Sequence, residues 1–287
     1  MEELAVSPQR LSLGIFRPWW RHRYFWRILS MLIAFGGWEA AGRFGSNIAV
    51  PSFSQTAHAL FSMTLDGTLP EAYMVTLQPL VLGLLLAAFL GIGFGIAMGL
   101  SRTLEWFTVV IFIALQAAPM AAVIPLITFV YGIGFTAKVV AVFVLATPGI
   151  ILNSYQGVRN VNVSLIQMSR SFLATKRQQI TKVILPAASN MIVASMRMGL
   201  AASFVGIILA ELLITPTGLG DLITYNQSMG EYANMYATIC SLIIISALSI
   251  SFLQWVENNY SGSRRKKRKA AKVSGQSCII ETEDQGA

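Results

Sequence analysis

The sequence predicts an all-α, polytopic membrane protein with about six transmembrane helices and both termini in the cytoplasm. Three observations predict this fold class: the composition, a series of apolar runs, and an uneven distribution of basic residues. Hydrophobic residues make up 55% of the 287 residues and charged residues 12%, with a mean hydropathy of +0.62. Soluble proteins carry about 25% charged residues. A chain of this length has room for about six spans of ~20 residues and little else.

The apolar runs divide the chain into three regions. A basic N-terminal segment covers 1–27, a transmembrane domain covers 28–257, and a charged tail covers 258–287. The predicted spans lie near 28–41, 75–100, 107–131, 137–152, 189–214 and 235–256. Most of these runs are long enough to cross about 30 Å of hydrocarbon. The longest connection that is both polar and strongly patterned covers 159–186 and is called the 159–186 loop below.

The first apolar run is the weakest, because Glu39 interrupts it. An Arg-rich start followed by a short apolar stretch also describes a secretory signal peptide. We favour an uncleaved anchor, since no clear small-residue cleavage site follows and removal of the run would leave an odd number of spans.

Basic residues lie almost entirely on one side of the predicted membrane. When the connections are assigned to alternate sides, 18 of the 21 Lys and Arg residues share the side of the N-terminal segment, the 159–186 loop and the tail. The other side receives only Arg43 and Lys138, and Arg197 lies within the fifth run. The positive-inside rule therefore places both termini and the 159–186 loop in the cytoplasm.

Glycine and proline patterns predict features inside two spans. Gly91, Gly95 and Gly99 repeat every four residues, which lets a neighbouring helix approach closely in lipid. Pro119 and Pro125 fall in the third span, where each removes a backbone hydrogen bond. They either bend the helix around a cavity or reflect the general frequency of proline in membrane helices.

The 159–186 loop is too amphipathic for a simple linker. Val163, Ile166 and Arg170 follow helical spacing, and a second set of turns runs from Gln178 to Ile184 before Pro186 ends it. The pattern predicts two short helices at the cytoplasmic surface. Because the loop carries no catalytic constellation, it is suited to docking on a partner and transmitting movement into the membrane.

Several further motifs extend the pattern across roughly four fifths of the chain, in an order and at spacings that make the set specific. With the 159–186 loop, they resemble bacterial ATP-binding-cassette importer permeases of the nitrate, sulfonate and taurine type, and the loop itself resembles the Glu-Ala-Ala loop of that family. The motifs are Val50-Pro51-Ser52, Leu100-Ser101-Arg102, Ala118-Pro119, Tyr131-Gly132-Ile133-Gly134, Asn153-Ser154-Tyr155-Gln156-Gly157-Val158-Arg159, Ile184-Leu185-Pro186-Ala187-Ala188 and Ala210-Glu211-Leu212.

The resemblance implies a set of partners and a docking site. A helix of the loop would insert into a groove on a separate cytoplasmic ATP-binding subunit, an extracytoplasmic solute-binding protein would deliver the solute, and two permease copies or paralogues would enclose the pathway in the bacterial inner membrane. The residues that would form the ATPase-coupling site are Ile166, Gln167, Met168, Ser169, Arg170, Leu173, Ile184, Leu185 and Pro186.

Four positions of this loop depart from the family pattern. Gln167, Met168 and Ser169 occupy the Glu-Ala-Ala positions, and Leu173 occupies the usual glycine. Loss of the glutamate removes a charge that would otherwise interact with the ATPase. A leucine at the glycine position is strained if the backbone there needs a positive φ. We therefore expect a working dock with a modified partner surface.

Three ionisable residues inside the predicted spans are candidates for lining the pathway, because charges in a membrane are expensive and often functional. They are Glu39, Arg197 and Glu211. Other interpretations stay open for each of them. Glu39 and Glu211 fall near the outward ends of spans, where water reaches them, and Arg197 can extend its guanidinium to the cytoplasmic interface.

The sequence predicts no enzyme, no cofactor and no metal site. His22 and His58 both lie outside the apolar spans, and no HExxH, GxSxG or GxxxxGK[ST] pattern occurs, so a separate subunit must bind ATP in an importer. Nucleic-acid binding is disfavoured because the basic residues form no aromatic-interleaved face. A stand-alone carrier or channel is the alternative, although it would need internal repeats and coupling charges.

The solute and the tail are less specified. The resemblance implies a small solute, either an anion such as a sulfonate, taurine or nitrate, or a small heterocycle, and leaves homodimer and heterodimer open.

Blocks of like charge predict a disordered tail. Its basic block lies beside the last span, where it can bind anionic lipid.

Overall fold

The computed structural model describes residues 23–45, 49–214 and 217–283, without the side chains of 23–25, 120 and 260–283. Most of the predicted N-terminal segment and the last four residues of the tail lie outside these ranges. The described residues are helical and contain no strand. The helices are α1 (Arg23–Phe44), α2 (Phe53–Leu65), α3 (Thr68–Leu100), α4 (Arg102–Ala117), α5 (Met120–Tyr131), α6 (Phe135–Arg159), α7 (Val163–Ser171), α8 (Lys176–Gln179), a π-helical turn (Ile180–Ile184), α9 (Leu185–Leu213), α10 (Leu219–Met229) and α11 (Tyr232–Glu283).

The all-α membrane fold is confirmed, with fewer spans than the six that the sequence predicts. Four helical segments of the described chain are long and apolar enough to cross a membrane, namely Thr68–Leu100, Phe135–Arg159, Lys176–Leu213 and Tyr232–Asn259. A fifth results if α4 and α5 together form one bent span. The predicted first span corresponds to α1, which is not among the helices that are long and apolar enough to cross. Its 22 residues include four charged ones, Arg23, Arg27, Glu39 and Arg43.

Helix α6 is the centre of the bundle, with α3 packed on one side and α9 on another. The glycines of α3 allow the contact to be close. A Cβ atom added at Gly95 would lie 2.7 Å from the Ile151 carbonyl oxygen, and one at Gly99 would lie 2.7 Å from the Val158 Cβ. The close approach predicted from the four-residue glycine repeat is therefore confirmed.

The direction of these helices defines two ends of the bundle. Gly83 lies against Val142 and Gly99 against Val158, so α3 and α6 are parallel, whereas Gly157 lies against Met191 and α9 is antiparallel to them. The helix termini Leu100, Arg159 and Leu185 therefore share one end, called the α7 end. The termini Thr68, Phe135 and Leu213 share the other, called the α10 end.

The predicted third span is broken at its first proline. Helix α4 ends at Ala117, and its axis makes an angle of 102° with the helix that follows Pro119. Ala118 is extended, with ψ of 140°, because a following proline disfavours the helical conformation. The bend of the first interpretation is therefore present at Pro119, and a cavity beside it stays a prediction. Pro125 lies inside the continuous helix α5.

The prediction that Pro186 ends a helix is wrong. Residues Lys176–Leu213 are continuous, because the π-helical turn joins α8 to α9. In this wider turn the Leu185 N–H donates to the Ile180 carbonyl, five residues back. Pro186 directly follows this turn, and a local π-helical adjustment is one way in which a continuous helix accommodates a residue without an N–H. The 159–186 loop is therefore one short helix, α7, followed by an extension of the fifth predicted span.

The last helix also differs from the prediction. Helix α11 runs to Glu283, whereas the sequence predicts a disordered tail from residue 258. Lysine, arginine and alanine are good helix formers, so the helix of the apolar span can continue into the charged segment.

Candidate functional site

The α7 end carries a short helix between two long ones. Helix α7 begins after Asn162, whose side-chain oxygen accepts hydrogen bonds from the Ser164 N–H (3.0 Å) and hydroxyl (2.9 Å). A capping box then starts α8, in which the Thr175 hydroxyl accepts from the Gln178 N–H and the Gln178 side chain accepts from the Thr175 N–H. Both helices therefore have defined beginnings, which fixes the direction in which α7 leaves α6.

Helix α7 has an inward and an outward face. Ile166 packs against a buried cluster formed by Val158, Val161 and Ile184, and the buried Ser169 hydroxyl donates to the Ile166 carbonyl at 2.7 Å. Of the predicted coupling residues, Ile166, Ser169, Ile184, Leu185 and Pro186 are buried or half-buried, and Gln167, Met168, Arg170 and Leu173 are exposed. The structure thus separates residues that hold the loop in place from residues that can meet a partner.

The C-terminus of α7 is closed by a left-handed leucine. Leu173 has φ of +54°, its N–H donates to the Arg170 carbonyl at 2.9 Å, and the Ala174 N–H donates to the Ser169 carbonyl at 3.1 Å. This pair of bonds is the Schellman motif, in which glycine is the usual residue at the left-handed position. Leu173 therefore has the positive φ at which a leucine is expected to be strained.

A polar cluster joins α4 to α6 one turn before α7. The Tyr155 hydroxyl donates to the Glu105 carboxylate at 2.5 Å, and the Arg159 guanidinium lies 3.5 Å from the same oxygen. Glu105 is not among the site residues that the sequence predicts. An acidic residue at the start of an apolar run was the available signal, but the contact joins residues 50 positions apart in the chain.

The α10 end contains a buried ion pair. The Lys138 ammonium of α6 lies 2.9 Å from the Glu211 carboxylate of α9, and both side chains are at most 3% exposed. The carboxylate also accepts from the Thr76 hydroxyl of α3 at 2.9 Å and from the Gly220 N–H of α10 at 3.0 Å. Four helices therefore converge on one carboxylate.

The same network fixes the connection before α10. The Lys138 ammonium donates to the Thr217 carbonyl (3.0 Å) and hydroxyl (2.9 Å), and the Leu219 N–H donates to the Thr76 hydroxyl (3.0 Å). Gly218 has φ of +89°, and a Cβ atom there would collide with the Glu211 carboxylate. Glycine is required at this position for both reasons.

Lys138 and Thr76 were not predicted as site residues. Lys138 is one of only two basic residues assigned to the outward side, which was the available signal. In the structure Glu211 faces the interior of the chain, and its partners belong to the same chain. Its role as a pathway residue stays a prediction, which this buried geometry does not favour.

The other two pathway candidates also have partners within the chain. Glu39 accepts from the Ser54 N–H and hydroxyl, both at 2.9 Å, and pairs with Arg43, so it joins α1 to the start of α2. Arg197 lies 3.1 Å from the Glu257 carboxylate and joins α9 to α11. Their predicted contact with a passing solute stays a prediction.

A cleft of about 810 Å³ with a mixed polar and apolar lining opens at the α10 end, between α2 and the start of α11. His58, Gln55, Glu231 and Asn234 are among its lining residues. Within the described part of the chain, no group of three His, Cys, Asp or Glu side chains is arranged to hold a metal ion. The cleft also has apolar lining residues, among them Val50 and Ala59.

Comparison with known proteins gives consistent matches. The family model described as "Binding-protein-dependent transport system inner membrane component" matches residues 83–262. An aliphatic sulfonates transport permease protein, SsuC of Bacillus subtilis (strain 168), is 27% identical over 84% of this chain and 92% of its own length. The taurine transport system permease protein TauC of Escherichia coli (strain K12) is 29% identical over 64% of this chain and 66% of its own length.

A solved structure has a similar fold. The inward-facing MetNI methionine ABC transporter superposes with a TM-score of 0.57 at 19% sequence identity, covering 67% of this chain and 94% of that chain. At this identity the likeness concerns the fold.

Proposed function

Since this chain belongs to the family of binding-protein-dependent transport system inner membrane components, we propose that a separate ATP-binding subunit docks on the exposed face of α7 and drives solute passage between the membrane helices. The chain itself is a multi-pass permease subunit of an ATP-binding-cassette importer, and its role is transport. The site and direction of docking are the proposed part.

The exposed apolar side chains of the 159–186 loop carry this proposal. Met168, Phe172 and Leu173 are 57%, 75% and 90% exposed, in a loop with five basic residues and no Asp or Glu. Leaving apolar area in water costs about 25 cal/mol per Å², which docking on a partner would recover. The absence of a P-loop motif from the sequence supports ATP binding by another subunit.

The solute is proposed to be a small anion of the sulfonate or taurine class. This assignment rests on the names of the similar permeases from Bacillus subtilis and Escherichia coli. Lys138 and Arg197 are paired with Glu211 and Glu257, so neither is an unpaired cation suited to hold an anion. Selection of the solute by an extracytoplasmic binding protein is supported by the family description, which names binding-protein-dependent transport.

The two ends of the bundle then have different partners. The α7 end would face the cytoplasm together with both termini, in agreement with the positive-inside rule, in a bacterial inner membrane. The α10 end would face outward, where the cleft beside α2 is available to the solute-binding protein. A second permease copy or paralogue would complete the pathway.

The test is purification of the tagged full-length chain in mild detergent with identification of the proteins that remain bound. We expect an ATP-binding-cassette subunit to co-purify. Replacing 163–173 by a Gly-Ser segment of equal length should remove that subunit. The matched control substitutes Gln55 and His58 by serine in the cleft at the opposite end and should retain it.

Two results would contradict the proposal. One is an ATP-binding subunit that stays bound after the 163–173 replacement. The other is taurine or sulfonate uptake by liposomes that contain the chain alone without ATP, which would instead support a stand-alone carrier or channel.

A further inference from the structure

Leu173 combines an unfavourable backbone with an unpacked side chain. Among the described residues it is the one non-glycine residue with a positive φ. A Cβ atom crowds the neighbouring carbonyl in this conformation, so glycine would relieve the strain. Because the leucine side chain is 90% exposed, no packing within this chain offsets the strain.

The preceding residue extends the same feature. Phe172 is 75% exposed, and with Leu173 it forms an apolar tip just beyond the last turn of α7. The Schellman hydrogen bonds donated by Leu173 and Ala174 hold the backbone of Phe172 and Leu173 in a defined conformation. The apolar tip (Phe172 and Leu173) is therefore presented on a fixed backbone rather than on a flexible connection.

The charged residues of the 159–186 loop all have one sign. Arg170, Lys176, Arg177 and Lys182 are exposed nearby in sequence, and the 159–186 loop has no Asp or Glu. The position that holds glutamate in the resembling family holds Gln167 here. A complementary partner surface would therefore be acidic around an apolar centre.

We propose that the apolar tip enters a pocket on the ATP-binding subunit, and that this pocket has an apolar floor and an acidic rim. The inference deepens the proposed function and rests on it. The leucine is retained in a left-handed conformation because its side chain contributes to the docked complex and not to the free chain. The pocket on the partner must therefore be deep enough to hold a leucine side chain, which a glycine at this position would not require.

A lipid surface is the competing occupant, since basic and apolar residues also suit the membrane interface. The exposed face of α7 argues for a protein. Ser164, Gln167, Arg170 and Ser171 are all exposed on this helix, interrupting the continuous apolar face that an interfacial helix would bury.

The experiment compares L173G, L173N and L173A in the full chain, reconstituted in nanodiscs. The ligand is the ATP-binding subunit that co-purifies with the wild-type chain, expressed and purified separately. Each variant removes the leucine side chain, so each should weaken binding about tenfold or more. Glycine and asparagine tolerate a positive φ, so L173G and L173N should raise the Tm of the free chain by about 2 to 4 °C. L173A keeps the strain and should leave the Tm unchanged.

The acidic rim has its own readout. We expect binding of the wild-type chain to weaken as NaCl rises from 50 to 500 mM, and R170Q to reduce this salt dependence. Salt-independent binding would overturn the acidic rim.

Wild-type affinity in all three Leu173 variants would overturn the apolar tip. If the 163–173 replacement still abolishes binding, only this inference fails, whereas binding that survives the replacement removes the proposed function as well. A bimane label at L173C, in a chain with Cys240 and Cys278 changed to serine, distinguishes the occupants. Quenching by brominated lipid in the assembled complex would assign the tip to the membrane and overturn the inference.

Discussion

The buried ion pair at the α10 end and the apolar tip at the α7 end differ in where their side chains find partners. At the α10 end, a lysine and a glutamate are buried and satisfied by contacts within the chain. At the α7 end, phenylalanine and leucine side chains are exposed beside basic residues. A buried, fully paired charge serves the fold of one chain, whereas an exposed apolar group on a fixed backbone indicates a surface completed by another molecule. The comparison therefore separates residues that stabilise the fold from residues that we propose to dock on a partner.

The ends are joined by the two helices that flank α7. Helix α6 carries Lys138 near one end and Arg159 at the other, and α9 carries Glu211 near the α10 end. Ile166 of α7 packs against a cluster that contains Val158 at the end of α6 and Ile184 directly before α9. Helix α7 is therefore in packing contact with the adjoining ends of α6 and α9.

The largest effect is expected at the buried ion pair. K138A leaves the Glu211 carboxylate buried without its cation, and breaking such a pair costs about 3–5 kcal/mol. We expect a marked fall in Tm and in the yield of monodisperse protein, measured by fluorescence-detected size-exclusion chromatography after heating. The double variant K138M/E211L removes both charges and should recover much of the loss. A K138A chain with the wild-type Tm would show that the α10 end is not organised by this pair.

An intermediate effect is expected where α3 meets α6. G95L places a side chain against the Ile151 carbonyl, and overpacking typically costs about 1–3 kcal/mol. G93L is the matched control two residues away, because a Cβ atom at Gly93 has no neighbour within 4 Å. Thermal melts of the two variants should differ clearly. Equal Tm values would contradict the close packing that connects the two ends.

The smallest effect is expected at the partly exposed pair between α9 and α11. Arg197 and Glu257 keep 32% and 19% of their side-chain surface exposed, so solvent screens their attraction. A double-mutant cycle with R197Q and E257Q should give a coupling energy of about 0–1 kcal/mol. A coupling energy as large as that between Lys138 and Glu211 would contradict the expectation that the more deeply buried pair interacts more strongly.

The sequence predicts the parts of this molecule that depend on local pattern. Apolar runs locate α3, α6, α9 and α11, the glycine repeat locates the α3 contact, and helical spacing locates α7. The strain predicted at Leu173 depends on one backbone angle, and φ is +54° there in the structure.

The remaining features depend on contacts between distant residues. Lys138 and Glu211 are 73 positions apart, and no short-range pattern pairs them. The division of α7 into inward Ile166 and outward Met168 depends on where α6 and α9 lie. The π-helical turn before Pro186 is a backbone adjustment that converts a predicted helix end into a continuous helix.

The central claim, that a separate ATP-binding subunit docks on the outward face of α7, is tested most directly by photo-crosslinking in the assembled complex. A photoreactive residue is introduced at Met168 on the outward face, at Ser169 on the inward face, or at His58 in the cleft at the opposite end. The account predicts a crosslink to the ATP-binding subunit from position 168 and none from 58, with 169 reacting within the chain. A crosslink to that subunit from position 58, or none from 168 while the subunit is bound, would contradict it.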